Sequence, residues 1–304
     1  MNILFRADSS FKIGTGHIMR DIVLANKYKK DTIYFAVQDL EGNINSKIVE
    51  SRFNIKILQS NNIKELDKLI KKLNIDMIVF DHYGIDFAFE KKIKINNPNI
   101  KILSFDDTYE KHYCDILLNH NISGDPKKYK GLVPKKCELR CGSKYTLLRD
   151  EFYIEKKRKS KKLSSKKRNK KKTVFIAMGG ADHSNINIDI LKVVGKFKNL
   201  NVNLVTTSAN KNLKQLKKYC KNKKSINLHI NSNKVAKLMG KSDFAIVTPS
   251  VTVNETFFME LPFIAIKTAQ NQKDIYKYLK SKKFLTLKKF NKNRLKAKIL
   301  KIIQ

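Results

Sequence analysis

The stretch NILFRADSSFKIGTGHIMRDIVLANKY, residues 2–28, decides the fold. It opens on a short apolar run, NILF (2–5), and crosses a polar loop containing Gly14, Thr15 and Gly16. From about His17 it takes up helical spacing. Strand, glycine turn and helix in that order form one βα unit. In a wound parallel sheet, ligands collect where such loops leave the carboxyl ends of strands. Apolar runs of strand length recur at TIYFAV (32–37), DMIVFD (76–81), KILSF (101–105) and DILLN (115–119). They alternate with helical segments such as IKELDKLIKKLN (63–74), which places Ile63, Leu66, Leu69, Ile70 and Leu73 on one face. The rhythm restarts at TVFIAM (173–178) and continues through NVNLVT (201–206), INLHI (226–230), DFAIVT (243–248) and PFIAIK (262–267). The pattern predicts an α/β protein with two similar halves, each a parallel sheet wound with helices.

The length of 304 residues suits two domains. Residues 1–152 and 173–304 are the expected domains, joined by a Lys-rich linker over 153–172. That linker holds the run EKKRKSKKLSSKKRNKKK (155–172), which has no apolar period. The net charge of +37 would by itself suggest a polyanion-binding protein, and that remains a rival reading. Only 8 of the 64 basic residues are Arg, however, and the chain is crowded with Lys, Asn and Ile, as AT-rich coding produces. Specific nucleic-acid sites favour the Arg fork, so no specific nucleic-acid partner is expected. No apolar run approaches the ~18 residues of a membrane span. The start MNILFRAD has no export signal, so a cytoplasmic location is expected. Cys114, Cys137, Cys141 and Cys220 form no CxxC pair, which argues against a zinc site or a disulfide framework.

The Gly14-Thr15-Gly16 turn lets backbone approach a ligand closely. It is a poor dinucleotide fingerprint, because Met19 stands where a third glycine belongs, although Asp39 lies near the distance of a ribose-binding acid. His17 would feel the positive end of the helix dipole, which favours the neutral ring that a general base requires. A hydrogen bond from His17 to a loop carbonyl is the structural alternative. Asp8 and Asp21 are nearby carboxylates that could orient the ring.

FDHYGID (80–86) and SFDDT (104–108) end two further strands on the same sheet edge, which suggests a polar small-molecule site. His82 and Tyr83 should point apart, so that one of them faces substrate. Asp106 and Asp107 could hold a metal or, as neighbours pointing apart, bond their own loop. In the second half, AMGGADHSN (177–185) follows the first strand and TPSVTVNETFFME (248–260) the fourth. In the latter, Thr252 and Glu255 have the spacing of a capping box, and a helix start rich in hydroxyls is an anion site. Asn271 and Gln272 in TAQNQKD (268–274) add amides to the same rim.

Taken together, RADSSFKIGTGHIMR, DHYGID, FDDT, CGSKYTLLRDEF, MGGAD, TPSVTVNE and the NQ pair resemble the UDP-2,4-diacetamido-2,4,6-trideoxy-β-L-altropyranose hydrolases of the pseudaminic acid pathway. The resemblance covers nearly the whole chain. It implies a GT-B architecture like that of the lipid II N-acetylglucosamine transferase, with two Rossmann-like domains facing across a cleft. It also implies an inverting hydrolase without metal or other cofactor, acting on a small-molecule UDP-sugar for flagellin or surface glycosylation. A GT-B glycosyltransferase is the nearest rival, since the fold hosts both.

Carried onto this chain, the resemblance makes His17 the base, with Gly14 and Gly16 shaping its loop and Tyr83 lining the sugar site. Gly180 falls near the diphosphate, which Ser250, Val251 and Thr252 receive. Asn254 belongs to the same substrate-binding helix, Glu255 bonds the ribose hydroxyls, and Asn271 and Gln272 face the phosphates and sugar. Arg149 either touches the ligand or stabilises the domain junction.

Overall fold

The computed structural model describes residues 1–162 and 171–304. The chain divides into two compact units, Met1–Leu147 and Leu148–Gln304. The first unit runs β1 (Asn2–Ala7), α1 (Gly16–Ala25), β2 (Thr32–Gln38), α2 (Ser46–Glu50), β3 (Asn54–Leu58), α3 (Ile63–Lys72), β4 (Met77–Asp81), α4 (Phe87–Asn96), β5 (Lys101–Phe105), β6 (Ile116–Asn119) and β7 (Glu138–Cys141). Its sheet has the order β3-β2-β1-β4-β5-β6-β7, with neighbouring strands parallel.

Both faces of this sheet are buried, so its central strands are near-continuous apolar runs. Side chains alternate across it. Ile3, Phe5, Ala7, Val79 and Leu103 pack with Ile18 and Leu24 of α1 on one side. Leu4, Ile78, Phe80 and Ile102 pack with Leu66 and Ile70 of α3 and Phe89 and Ile93 of α4 on the other. The expected apolar face of α3 is present, with Leu66 and Ile70 buried and Ile63, Leu69 and Leu73 packed partly against them. The Asn62 side chain accepts from the Lys64 amide and caps that helix.

The second unit opens with α5 (Asp150–Lys162) and continues as β8 (Lys172–Ala177), α6 (Asn187–Val194), β9 (Leu200–Thr206), α7 (Leu213–Cys220), β10 (Ile226–Ile230), α8 (Val235–Gly240), β11 (Phe244–Val247), α9 (Val251–Phe258), β12 (Phe263–Ile266), α10 (Lys273–Ser281), β13 (Leu285–Leu287) and α11 (Lys292–Ile303). Its parallel sheet has the order β10-β9-β8-β11-β12-β13. In each unit the strand order reverses beside the first strand, at β1/β4 and at β8/β11. These are the places where loops diverge and leave a ligand crevice.

Where the sequence suggests a linker over 153–172, the structure has helix as far as Lys162 and strand from Lys172. Phe152 is fully buried, Tyr153 packs edge-on against Phe258 at 4.9 Å, and Lys156 pairs with Glu260 at 2.8 Å. An ammonium can also be held against an aromatic face, whose negative quadrupole attracts it. The Lys156 ammonium accordingly lies 4.7 Å from the Phe258 ring centre. Residues 163–170 of the expected linker lie outside the described residues. No helix among the described residues is long and apolar enough to cross a membrane.

Candidate active site

In the first unit the loop leaving β1 is closed by its own side chain. Ser10 Oγ accepts from the amides of Lys12 and Ile13 at 3.2 and 3.0 Å, and the Gly14 amide donates to the Ser10 carbonyl at 2.8 Å. Gly14 holds a φ of 87°, a left-handed backbone that a side chain would strain. The turn delivers the chain into α1 at Gly16, so His17 sits in the first helical turn, 7% exposed.

Its partner comes from β4. His17 Nδ1 lies 2.6 Å from Asp81 Oδ1. Arg20 Nη2 also lies 3.2 Å from Nδ1, but the carboxylate is closer and only accepts, so the ring is assigned as donating from Nδ1 to Asp81, which leaves Nε2 as its outward nitrogen. Arg20, one turn further along α1, grips the same carboxylate through Nε, 2.5 Å from Oδ2, and through Nη2 on Oδ1. Burial alone would raise the Asp81 pKa, but the Arg20 charge and the hydrogen bonds from Arg20 and His17 hold it well below the usual carboxylate range.

Neither carboxylate suggested by sequence proximity orients His17. Asp8 is committed to Arg6, with two contacts of 2.8 Å, and also accepts from the Gln38 amide at 2.7 Å and meets His82 Nε2 at 3.1 Å. Asp21 is fully buried against Asp81, without any other hydrogen-bond partner among the described residues, and that burial beside Asp81 pushes its pKa up. His120, buried beside Arg20, has its pKa lowered to about 3 by burial and by that cation, so it is a neutral neighbour at ordinary pH.

The two residues after β4 diverge as expected. His82 turns back to Asp8, while Tyr83 is 64% exposed and meets the His17 ring edge-on at 5.0 Å. The Tyr83 phenol donates to Asp107 Oδ1 at 3.4 Å. Asp106 bonds its own loop, and among the described residues no group of three or more His, Cys, Asp or Glu side chains could hold a metal.

The second unit repeats the plan with different chemistry. Gly179 has a φ of 83°, and the Gly180 carbonyl accepts from the Thr207 amide at 3.1 Å and from the Thr206 and Thr207 hydroxyls at 3.0 Å. A Cβ on Gly180 would stand 2.8 Å from Thr207 Cγ2, so a side chain there would force Thr207 to shift.

The Thr252–Glu255 capping box is absent. Ser250 is the N-cap of α9 and makes no side-chain cap bond, its hydroxyl lying 3.0 Å from that of Thr248. Val251 and Thr252 thus open a helix whose first turn holds no acidic residue, an end suited to an anion. Glu255 reaches Arg149 instead, 3.6 Å from Nη2, while Arg149 Nη1 meets Glu151 at 2.9 Å. Largely buried, the Glu255 carboxyl has its pKa pushed up to about 7, with Arg149 opposing the rise. Asn254 is fully buried on the same helix.

Asn271 is exposed, but the Gln272 amide does not stand free to meet a ligand. Its Oε1 accepts from the Thr268 and Ala269 amides at 2.8 and 3.2 Å, because the short turn after β12 needs those donors satisfied. Sequence reasoning missed Asp81 as the partner of His17, and Arg20 with it, while Asp107 was named only as a metal ligand or loop-bonding residue. Arg20 was recoverable as the residue one helical turn beyond His17.

No protein-family model matches the sequence. Among solved structures the fold is similar to MurG of Acinetobacter baumannii, with a TM-score of 0.67 at 9% identity, covering 100% of this chain and 91% of that one. It is also similar to the UDP-GlcNAc 2-epimerase of Neisseria meningitidis, with a TM-score of 0.61 at 11% identity, covering 100% and 91%. At such identities the likeness concerns the fold alone, which is the two-sheet α/β fold of GT-B type. Among curated proteins, the UDP-2,4-diacetamido-2,4,6-trideoxy-β-L-altropyranose hydrolase of Campylobacter jejuni subsp. jejuni serotype O:2 is 42% identical over 282 residues, 93% of this chain and 97% of its own. With that identity sustained over nearly the full length of both, the chain belongs to the UDP-2,4-diacetamido-2,4,6-trideoxy-β-L-altropyranose hydrolase family.

Proposed function

We propose that the protein hydrolyses UDP-2,4-diacetamido-2,4,6-trideoxy-β-L-altropyranose at its anomeric C–O bond, releasing UDP and the free sugar with inversion. The substrate is that named for the Campylobacter relative. The observation that supports the hydrolytic step is the His17–Asp81 pair at the end of the first unit's sheet. His17 Nε2 takes a proton from water as the water oxygen bonds to the anomeric carbon, and the C–O bond electrons leave with UDP. Asp81 holds the Nδ1–H and stabilises the imidazolium that forms. An inverting glycosidase ordinarily needs a second carboxyl to protonate the leaving oxygen. A nucleoside diphosphate is already a good anion, so one base suffices. In the second unit, the uncapped start of α9 is the element suited to receive the departing diphosphate. We place the reaction in the cytoplasm, which suits four free cysteines.

Turnover in isotopically labelled water, with EDTA present, tests this. The label is expected in the sugar. Label in UDP would mean attack at phosphorus, and loss of turnover with EDTA would mean that a metal is required.

The Glu255 carboxyl supplies a pH-dependent prediction. If it accepts the ribose hydroxyls, the ionised form binds and the protonated form does not. With its pKa pushed up to about 7, affinity for uridine should be level above that pH and weaken by up to about tenfold per unit below it. Uridine is the right probe because it has no phosphate to titrate. Calorimetric titration of Glu255→Gln should give a flat profile over the same range, and an unchanged slope would remove Glu255 from the ribose site.

A further inference from the structure

Asp106 and Asp107 are adjacent on the loop after β5, yet only one of them is satisfied by the protein. Asp106 Oδ1 accepts from the Thr108 amide at 2.9 Å and the Thr108 hydroxyl at 2.8 Å, and Oδ2 accepts from the Tyr109 and Glu110 amides at 2.8 and 3.2 Å. Those bonds use the lone-pair sites of a carboxylate and give Asp106 a structural role. Among the described residues Asp107 has one long hydrogen bond, 3.4 Å from the Tyr83 hydroxyl, and a loose ion pair, 3.7 Å from Arg20 Nη1. Its side chain is 26% exposed.

The groups around Asp107 belong to the His17 site. Tyr83 packs on the His17 ring, and Arg20 holds the Asp81 carboxylate that orients it. Burial raises the Asp107 pKa, with Asp81 and Asp106 adding to the rise and Arg20 opposing it. A partly buried carboxylate with one long hydrogen bond can take a further donor, and its exposed side is where one can arrive.

Resting on the hydrolase reading above, we propose that Asp107 is a specificity-determining residue, accepting a hydrogen bond from an N–H or O–H donor on the sugar. A 2,4-diacetamido-2,4,6-trideoxy sugar offers two amide N–H groups and a ring hydroxyl. A carboxylate placed beside the base would select for such donors and fix the ring relative to Nε2. The leaving diphosphate needs no proton, so this role is separate from acid catalysis.

Steady-state kinetics of Asp107→Ala and Asp107→Asn, with UDP inhibition measured alongside, test the proposal. Losing a hydrogen bond to a charged acceptor should raise KM by about 10- to 100-fold in Asp107→Ala. The inhibition constant of UDP should stay within about twofold of wild type, because the contact is to the sugar. Asp107→Asn, isosteric and still carrying an acceptor oxygen, should recover part of the loss and melt at the wild-type temperature. An unchanged KM in Asp107→Ala overturns the proposal. So does a fall in kcat with loss of one limb of the pH profile at constant KM, which would make Asp107 an acid or base. A parallel weakening of UDP also overturns it, since the defect would then be general. If wild type fails to hydrolyse the UDP-sugar, the hydrolase reading fails instead. Saturation-transfer NMR of the free diacetamido sugar, comparing wild type with Asp107→Ala, then still decides whether Asp107 reads the sugar.

Discussion

Replacing His17 by alanine is expected to lower kcat by about 10²- to 10⁴-fold, the usual contribution of a positioned general base. UDP affinity should change little, because His17 lies in the first turn of α1 in the first unit, and the elements suited to the nucleotide belong to the second unit. The size of the effect follows from the tautomer. With Nδ1–H committed to Asp81 at 2.6 Å, Nε2 is the ring's remaining proton acceptor. His17→Asn should be as inactive as His17→Ala, since an amide has no basic nitrogen. Turnover near wild type in both variants would return His17 to a purely structural role.

Asp81→Asn should have two separable consequences. An amide at this position can donate to Nδ1 and so favour the other tautomer, with the lone pair on Nδ1 and the proton on Nε2. That arrangement cannot take a proton from water at Nε2, and kcat should fall by about 10²- to 10⁴-fold. The same change removes the main counter-charge of Arg20, a guanidinium whose side chain is 10% exposed and whose remaining carboxylate contact is Asp107 at 3.7 Å. An uncompensated buried charge of this kind costs about 3–5 kcal/mol.

The combined variant Arg20→Met/Asp81→Asn separates these effects. Removing both charges should restore most of the lost stability in a chemical denaturation experiment, while kcat stays low because the tautomer is still wrong. Recovery of kcat together with stability would show that Asp81 serves folding and not the chemistry.

The two sheets could be read from sequence because their central strands are buried on both faces and so are continuous apolar runs. NILF, DMIVFD, TVFIAM and DFAIVT all lie at or beside the switch points. The strands missed were β3, β7 and β13, each at a sheet edge. An edge strand has one bonded neighbour and more solvent, so NIKIL (54–58) and ELRC (138–141) carry charge and lack an apolar run. The front of the expected linker was misread for a related reason. Composition counts lysine as a solvated charge, whereas the Lys156 ammonium lies against the Phe258 ring, 4.7 Å from its centre.

At the site, sequence alone determined that a glycine turn would carry His17 to the carboxyl end of the first strand. Local backbone geometry sufficed for that, since Gly14 must hold a positive φ and the helix begins two residues later. It could not determine which carboxylate would meet the ring. Asp8 and Asp21 are near in the chain, but one is taken by Arg6 and the other is buried away from the ring against Asp81. Asp81, 64 residues away, is brought in by the parallel register of β1 and β4, which sets Ala7 opposite Asp81 at the strand ends. The same holds for Glu255, whose local spacing suggested a cap and whose tertiary neighbour, Arg149, made it an ion-pair partner. Helices and strands follow from interactions between near neighbours in sequence. The charge pairs that give this site its chemistry form between strand and helix ends that only the folded sheets bring together.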